Sequence, residues 1–369
     1  MELAPYLRLM VQRNGSDLYF STGAAPHVKI SGQMVAIGEQ KLVTGDVSKL
    51  AYSVMSDDQV REFEGTMECN LAISIASLGR FRVNVFRQRG DAAMVIRFIK
   101  GEIPSIEELY LPQTLKKLIM EKRGLILVVG STGSGKSTTL ASMIDYRNEN
   151  STGHILSIED PIEFLHNHKK SVVNQREIGL DSMSYENALK NALREAPDVI
   201  LIGEIRDAAT MQHAIAYAET GHLCLSTLHA NNANQALDRI VNFFPDSAHK
   251  QILNDLSLNL KAVVSQRLIP TVEGGRRAAI EMLIQSSYTA ELIQKGKIHD
   301  IKEAMEQGAE RGMMTFDQSL YDLFVEGAIS LDNALNHADS RNNLALRIRL
   351  NAPNKTEDKG SEPKSEALG

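Results

Sequence analysis

Cysteine is scarce in this sequence, and the two cysteines that occur are far apart. Cys69 and Cys224 form no CxxC pair in a chain of 369 residues. A zinc site built on four cysteines is therefore excluded by number, and reduced thiols in a cytosolic protein are the simple interpretation. The length is sufficient for two domains of ordinary size, each with its own apolar core.

A basic surplus and long apolar runs are also missing. The net charge of −6 argues against a dedicated nucleic-acid binder, which usually carries an excess of Lys and Arg. No apolar stretch approaches the roughly 20 residues of a membrane-spanning helix. Residues 1–10 contain Glu2, Pro5 and Arg8 and therefore lack the apolar core of a signal peptide. We expect a cytoplasmic protein without a nucleic-acid partner, whose link to a membrane runs through another protein.

Residues 1–100 have the pattern of an α+β domain. Strand-like runs alternate with turn residues, while residues 44–64 have the spacing of one amphipathic helix. The strand-like runs are residues 16–20, 27–36, 68–77, 80–87 and 92–99. Residues 101–114 contain two prolines and are a candidate linker.

Residues 115–345 alternate between strand and helix patterns, which predicts a mostly parallel α/β sheet. The strand candidates are short apolar runs, as expected for strands covered on both faces. They are residues 125–129, 155–158, 199–202 and 223–226, with helical segments at 136–147, 185–195 and 208–220. From residue 246 to about 335 we expect mainly helices. Residues 346–369, rich in Lys, Glu, Ser and Pro towards the end, are predicted to be a disordered tail.

A phosphate-binding loop follows the first of these strands. Residues 130–138, GSTGSGKST, fit the pattern G-x-x-x-x-G-K-[ST] between a strand and a helix. Backbone N–H groups and the helix N-terminus would hold phosphates there, Lys136 should reach the β- and γ-phosphates, and Ser137 should ligate Mg²⁺. The predicted ATP-binding residues are Ser131, Thr132, Gly133, Ser134, Gly135, Lys136, Ser137 and Thr138.

Acidic and imidazole groups follow the other strands, at the edge where a parallel sheet binds its ligand. Glu204 is expected to be the direct or indirect Mg²⁺ partner, because Asp198 precedes the same strand and belongs to the opposite end. Glu163 is predicted to orient and polarise the attacking water. His229 is placed to sense the γ-phosphate. His222 lies at the other end of its strand, so the two histidines cannot share a metal. Nucleotide binding and a structural or interface role are the two alternatives for His222.

The motifs resemble those of the secretion ATPase superfamily, and within it the type IV pilus retraction ATPase family that includes PilT and PilU. Residues 130–138, 159–164, 194–207 and 220–229 are similar in order and spacing to its Walker A, Asp box, Walker B and His box. The resemblance covers nearly the whole chain except the tail.

This resemblance implies a PAS-like N-terminal domain, a RecA-like ATPase domain and a homohexamer. It gives Glu204 the Walker B role, Glu163 that of catalytic glutamate, and His222 and His229 the His-box places. It also implies that N-terminal arginines, for which Arg82 and Arg97 are best placed, reach ATP on ring closure. An exposed strand face with ordinary salt bridges is the alternative for these arginines.

One segment departs from the PilT pattern and favours a PilU-like protein. PilT carries the sequence AIRNLIRE, where this chain has residues 288–295, YTAELIQK; both arginine places are lost, to Ala290 and Gln294. The expected function is therefore that of an accessory retraction motor which works with a PilT-like ATPase and acts on an inner-membrane platform protein. A nucleotide-binding adaptor without turnover and a DNA translocase of the same superfamily are the alternatives.

Overall fold

The computed structural model describes residues 2–30, 32–76, 78–99 and 101–351, which form two sheets with helices packed on them. The strands are β1 (Gly15–Ser21), β2 (His27–Ile30), β3 (Gln33–Ala36), β4 (Glu68–Ile75), β5 (Gly79–Gln88), β6 (Asp91–Ile99), β7 (Gly124–Val129), β8 (Gly153–Glu159), β9 (Ser171–Glu177), β10 (Val199–Ile202), β11 (Leu223–Leu228), β12 (Leu260–Pro270) and β13 (Arg276–Ile284). The helices are α1 (Ala4–Gln12), α2 (Asp46–Tyr52), α3 (Asp57–Thr66), α4 (Thr114–Ile119), α5 (Lys136–Asn150), α6 (Tyr185–Ala192), α7 (Ala208–Glu219), α8 (Ala233–Asn242), α9 (Asp246–Asn259), α10 (Ser287–Gln294), α11 (Ile301–Gln307), α12 (Phe316–Val325), α13 (Leu331–His337) and α14 (Arg341–Asn351).

The first sheet is antiparallel and has the order β3-β2-β1-β6-β5-β4. Side chains alternate along β5: Phe81 and Val83 enter the core on the helix-covered face, and Arg80 and Arg82 lie on the other face. Arg97 on β6 is paired in register with Arg82. Two like charges side by side repel each other. On this arginine-bearing face, Arg80 lies 3.7 Å from Glu177 of the second sheet.

The helix predicted for residues 44–64 is two helices, α2 and α3. The chain leaves the helical conformation at Ser56, whose ψ is 164° and whose side chain accepts a hydrogen bond from the Gln59 N–H. The Gln59 side chain in turn accepts from the Ser56 N–H, which completes a capping box. The prediction of one helix was wrong because the apolar spacing continues through this local start signal.

The second sheet has the order β13-β12-β7-β11-β10-β8-β9. Every pair is parallel except β12–β13. All residues of β7, β10 and β11 are buried, since helices cover both faces. The predicted parallel α/β sheet is confirmed, and the carboxyl ends of its central strands meet at one edge.

Helices α9 to α13 make up most of the region predicted to be mainly helical after residue 246, but the prediction missed the long hairpin of β12 and β13 within it. Residues 271–275, TVEGG, form its turn, with Gly274 and Gly275 at φ 87° and 92°. Charged or amide side chains at Lys261, Gln266 and Arg267 interrupt the apolar run of β12, and this hid the strand pattern.

Two segment predictions also change at the domain edges. Within the candidate linker of residues 101–114, Ile106 and Leu111 are buried in the core of the second domain, and the Ser142 hydroxyl donates to the Pro104 carbonyl at 2.6 Å. The predicted tail of residues 346–369 was wrong at its start, because α14 continues to Asn351. The rest of that prediction, residues 352–369, lies outside the described residues.

Candidate active site

The phosphate-binding loop connects β7 to α5 as the motif predicts. Gly130, Gly133 and Gly135 have φ values of 157°, 78° and 90°, which side chains rarely tolerate. A Cβ on Gly130 would lie 2.6 Å from the Gln266 carbonyl oxygen, and one on Gly135 would lie 2.7 Å from Gln266 Nε2. The loop is therefore packed against β12, and its glycines are required by both conformation and space.

Lys136 begins α5 and faces the interior of this loop. Its Nζ donates to the carbonyls of Gly130 and Ser131 at 3.0 and 2.9 Å. Burial lowers the pKa of the Lys136 ammonium, whereas Glu204 and Glu163 oppose that shift by electrostatic attraction. One buried cation thus sits within the field of both predicted catalytic carboxylates, in a place suited to phosphate oxygens.

Glu204 follows β10 and is shared between two cationic or potentially cationic partners. Its Oε2 accepts from Arg206 Nε at 2.8 Å, and its Oε1 lies 3.2 Å from His229 Nε2 at the end of β11. The hydrogen bond with Glu204 is also the main reason that the pKa of Arg206 is raised. Because β10 and β11 are parallel neighbours, both residues arrive at the same edge. Asp198 accepts from the His154 N–H at the opposite end, as predicted.

Two acidic residues at the ends of β8 and β9 lie next to the backbone of the loop that carries Glu163, residues 160–163. Glu159, the last residue of β8, lies close enough for the Glu163 backbone to oppose the rise in its pKa that burial causes. Glu177, the last residue of β9, accepts from the Ile162 N–H at 3.4 Å. The Glu163 side chain itself is exposed and lines the cleft. Its backbone is thus fixed while its carboxylate is free to face a ligand.

A cleft of about 470 Å³ joins these groups. It contains nine of the predicted residues: Thr132, Gly133, Gly135, Lys136, Ser137, Thr138, Glu163, Glu204 and His229. Ser131 and Ser134 line an adjoining cleft behind the loop, and the Ser134 hydroxyl is buried without a hydrogen-bond partner in the described residues. The sequence-derived cluster is therefore brought together within one chain.

Three predicted residues lie outside both clefts. His222 is at the opposite end of β11, where its Nδ1 contacts Thr220 Oγ1 at 3.1 Å and the Tyr217 carbonyl at 3.2 Å. The cleft therefore does not include His222, and the predicted nucleotide contact of this residue is not formed there. Arg82 and Arg97 are on the first sheet, and Arg97 Nε donates to Asp17 at 2.7 Å.

The cleft also contains groups that sequence reasoning did not select. They include Glu159, His166, Tyr185, Thr227, Leu268 and Arg276. His166 is half-buried, its Nδ1 has no partner in the described residues, and burial lowers the pKa of its imidazole to about 4. No single motif marks these residues, because β12, β13 and the loop after β8 meet only in three dimensions.

The donor set fits a magnesium ion held jointly with phosphate. Among residues 2–30, 32–76, 78–99 and 101–351 no group of three His, Cys, Asp or Glu side chains could hold a metal ion. Mg²⁺ is usually bound by one or two protein oxygens together with phosphates and water. The Ser137 hydroxyl and the Glu204 carboxylate line the same cleft and match that requirement.

Glu159 gives the site a carboxyl group that titrates near neutrality. Burial is the main cause that raises its pKa to about 7, with a smaller contribution from Glu163, whereas hydrogen bonds from Ser157 and Gln175 act in the opposite direction. The folded state therefore holds this proton more tightly than the unfolded chain. Stability is lost as pH rises from about 4.5 to about 7.

We expect Glu159→Gln to remove this loss, because the amide stays neutral at every pH. Between pH 5 and pH 8 the free energy of unfolding of the wild type should fall by about 2 kcal/mol more than that of the variant. Chemical denaturation at both pH values, without nucleotide, measures the difference. The exposed Glu186→Gln is the matched control, and equal pH dependence in wild type and Glu159→Gln would contradict the assignment.

Comparison with known proteins places the chain among secretion and pilus ATPases. A family model described as Type II/IV secretion system protein matches residues 64–317. The chain is 54% identical over 351 residues, which cover 95% of it and 92% of the relative, to the Type IV pilus ATPase PilU of Pseudomonas aeruginosa. It is 41% identical over 334 residues, 90% of it and 97% of the relative, to the Type IV pilus retractation ATPase PilT of the same organism. A crystal structure of the pilus retraction motor PilT with bound ADP matches with a TM-score of 0.87 and 41% identity, over 94% of this chain and 99% of that chain.

Proposed function

The chain belongs to the Type II/IV secretion system protein family and is an ATPase of the pilus retraction type, and we propose that its turnover is carried out by the residues gathered in the cleft. The observation that carries this proposal is the convergence of Lys136, Ser137, Glu163, Glu204 and His229 at one edge of the parallel sheet. ATP is the substrate, and water is the second reactant.

Each side chain has a role that its position supports. Lys136 exchanges its bonds with the loop carbonyls for bonds with phosphate oxygens, and Ser137 and Glu204 would hold Mg²⁺. The ion, when bound, neutralises charge that develops on the phosphates. Glu163 orients and polarises the attacking water, since phosphoryl transfer needs positioning and charge more than covalent chemistry. His229, already 3.2 Å from Glu204, responds to the γ-phosphate and to the state of that carboxylate.

The arginine-bearing face of the first sheet is placed to complete the site from the same chain. Arg80 Nη2 lies 3.7 Å from Glu177 Oε2 on the ATPase domain. The Asp17 hydrogen bond is the main cause that raises the pKa of Arg97, and Glu163 adds a smaller attraction. We infer that closure brings Arg82 and Arg97 towards the phosphates of their own chain. Closure onto a neighbouring subunit is not needed for this step.

Sequential closure of this kind would do mechanical work in a ring. We propose a homohexamer that works with a PilT-like ATPase at an inner-membrane platform protein, peripheral to the membrane on its cytoplasmic side and without a nucleic-acid partner. In the described part of the chain, no helix is long and apolar enough to cross a membrane. Ala290 and Gln294, which replace the PilT arginines, lie in α10 and support an accessory role beside an autonomous motor.

Gene deletion in the natural host tests the accessory role. We expect loss of this gene to leave hyperpiliated cells that do not twitch, because retraction would lack one of its motors. Overexpression of this chain in cells without the PilT-like partner should not restore twitching. Twitching zones and surface piliation are the measurements. Restoration of movement by this chain alone would contradict the accessory role and would make it an autonomous motor.

A further inference from the structure

The loop that carries Glu163 is attached to a buried carboxylate with no assigned role. Glu177 ends β9 and is the register partner of Glu159 on β8. Its side chain is 4% exposed, and its Oε2 accepts from the backbone N–H of Ile162. Ile162 directly precedes Glu163, so the position of this carboxylate limits where Glu163 can point.

The same carboxylate oxygen also faces the N-terminal domain. Arg80 Nη2 approaches Glu177 Oε2, and Arg82 is a second cation whose field acts on the same group. A carboxylate oxygen has lone pairs for both an N–H of the loop and a guanidinium. Glu177 therefore connects β5 of the first sheet to the loop of the catalytic glutamate through a single atom.

The contact with Arg80 is incomplete in its present geometry. A distance of 3.7 Å exceeds that of a hydrogen bond, and Arg80 Nε is buried without a partner in the part of the chain that is described. A movement of about 1 Å would give the guanidinium a charge-assisted hydrogen bond with Glu177. The buried, unpaired guanidinium donor of Arg80 and the buried carboxylate of Glu177 both favour that movement.

We propose that Glu177 is a positioning residue that couples the placement of the N-terminal sheet to that of Glu163. When the sheet closes, Arg80 binds Glu177 Oε2 and fixes the carboxylate, which in turn fixes Ile162 and the carboxylate of the next residue for attack by water. When the sheet withdraws, Glu177 loses the positive charge of Arg80, and its hydrogen bond with the Ile162 N–H holds the loop less firmly. The inference rests on the proposed function, because it assigns Glu163 to the chemistry.

Steady-state kinetics of single and double variants test the coupling in the full chain. Arg80→Gln removes the cation, and Glu177→Gln keeps an acceptor for Ile162 but loses the charge. We expect each to lower kcat about tenfold with the KM for ATP unchanged within about twofold, as small misplacement of a catalytic group does. The double variant should be no slower than the slower single variant, since both remove one interaction, and Arg80→Lys should recover part of the rate.

A matched control and a second readout separate coupling from general damage. Arg87, on the same strand as Arg80, pairs with Glu64 inside the N-terminal domain, so Arg87→Gln should leave kcat unchanged. Amide hydrogen exchange should be faster at Ile162 and Glu163 in Arg80→Gln, and a purely local role of Arg80 would change exchange in the N-terminal domain alone.

Defined results would overturn the proposal. They are multiplicative losses in the double variant, an unchanged kcat in both single variants, or unaltered exchange at Ile162 in Arg80→Gln. Wild-type turnover and its loss in Lys136→Ala are measured in the same assay. If both are found while the coupling results fail, the proposed function stands and only the role of Glu177 is refuted. If the wild type shows no turnover, the proposed function itself fails.

Discussion

Replacement of Lys136 by alanine will lower ATP turnover by at least about a hundredfold, the usual cost of removing a group that stabilises transition-state charge. Lys136 is the cation at the start of α5, within the field of Glu163 and Glu204. Without the Lys136 ammonium, the two carboxylates would repel the negative charge on the transferring phosphoryl group and raise the energy of the transition state. Phosphate release and equilibrium nucleotide binding, measured on the purified chain, give the two quantities to compare.

The same variant should fold and assemble as the wild type does. Burial already disfavours the charged form of Lys136, so alanine removes a desolvation cost together with two hydrogen bonds to the loop carbonyls. Lys117→Ala, at an exposed position of α4, controls for the loss of one positive charge. Wild-type turnover in Lys136→Ala would rule out the proposed mechanism, and a change in particle size by sedimentation would show that Lys136 also has a structural role.

Local sequence signals were sufficient to predict the cluster around the phosphate-binding loop. The loop motif is contiguous, and Glu163, Glu204 and His229 each follow a short apolar strand. In a parallel sheet the ends of such strands must meet at one edge, so a correct strand assignment places the side chains without any knowledge of packing. The family resemblance and the predicted fold class are confirmed by the relatives and by the solved PilT structure.

Contacts between distant segments could not be predicted in this way. Gln266 packs against Gly130 and Gly135 from a strand that the sequence pattern had marked as helical. Arg80 meets Glu177 almost a hundred residues further along the chain, on another sheet. Periodicity reports which face of an element is buried, but not which surface covers it, so the contact that ties the first domain to the Glu163 loop became visible only in the folded structure.

Glu163→Gln will reduce kcat by about a hundredfold or more while nucleotide binding changes little. An amide can hydrogen-bond to water but cannot polarise it with a negative charge or accept its proton, which typically costs 10²–10⁴-fold in general-base steps. The loop should keep its geometry, because its hydrogen bond to Glu177 comes from the backbone N–H of Ile162 and not from the Glu163 side chain. A loss of kcat without a rise in KM would identify an interaction made in the transition state.

This prediction also separates the motor from the nucleotide-binding adaptor. An adaptor would bind nucleotide and support a partner ring without turnover, so wild type and Glu163→Gln would show equal, near-zero phosphate release. Glu186→Gln, an exposed substitution on α6 that removes the pair with Lys190, is the matched control and should leave turnover unchanged. A motor requires that only the Glu163 variant loses turnover, because among these two glutamates only Glu163 lines the cleft with Lys136 and Glu204.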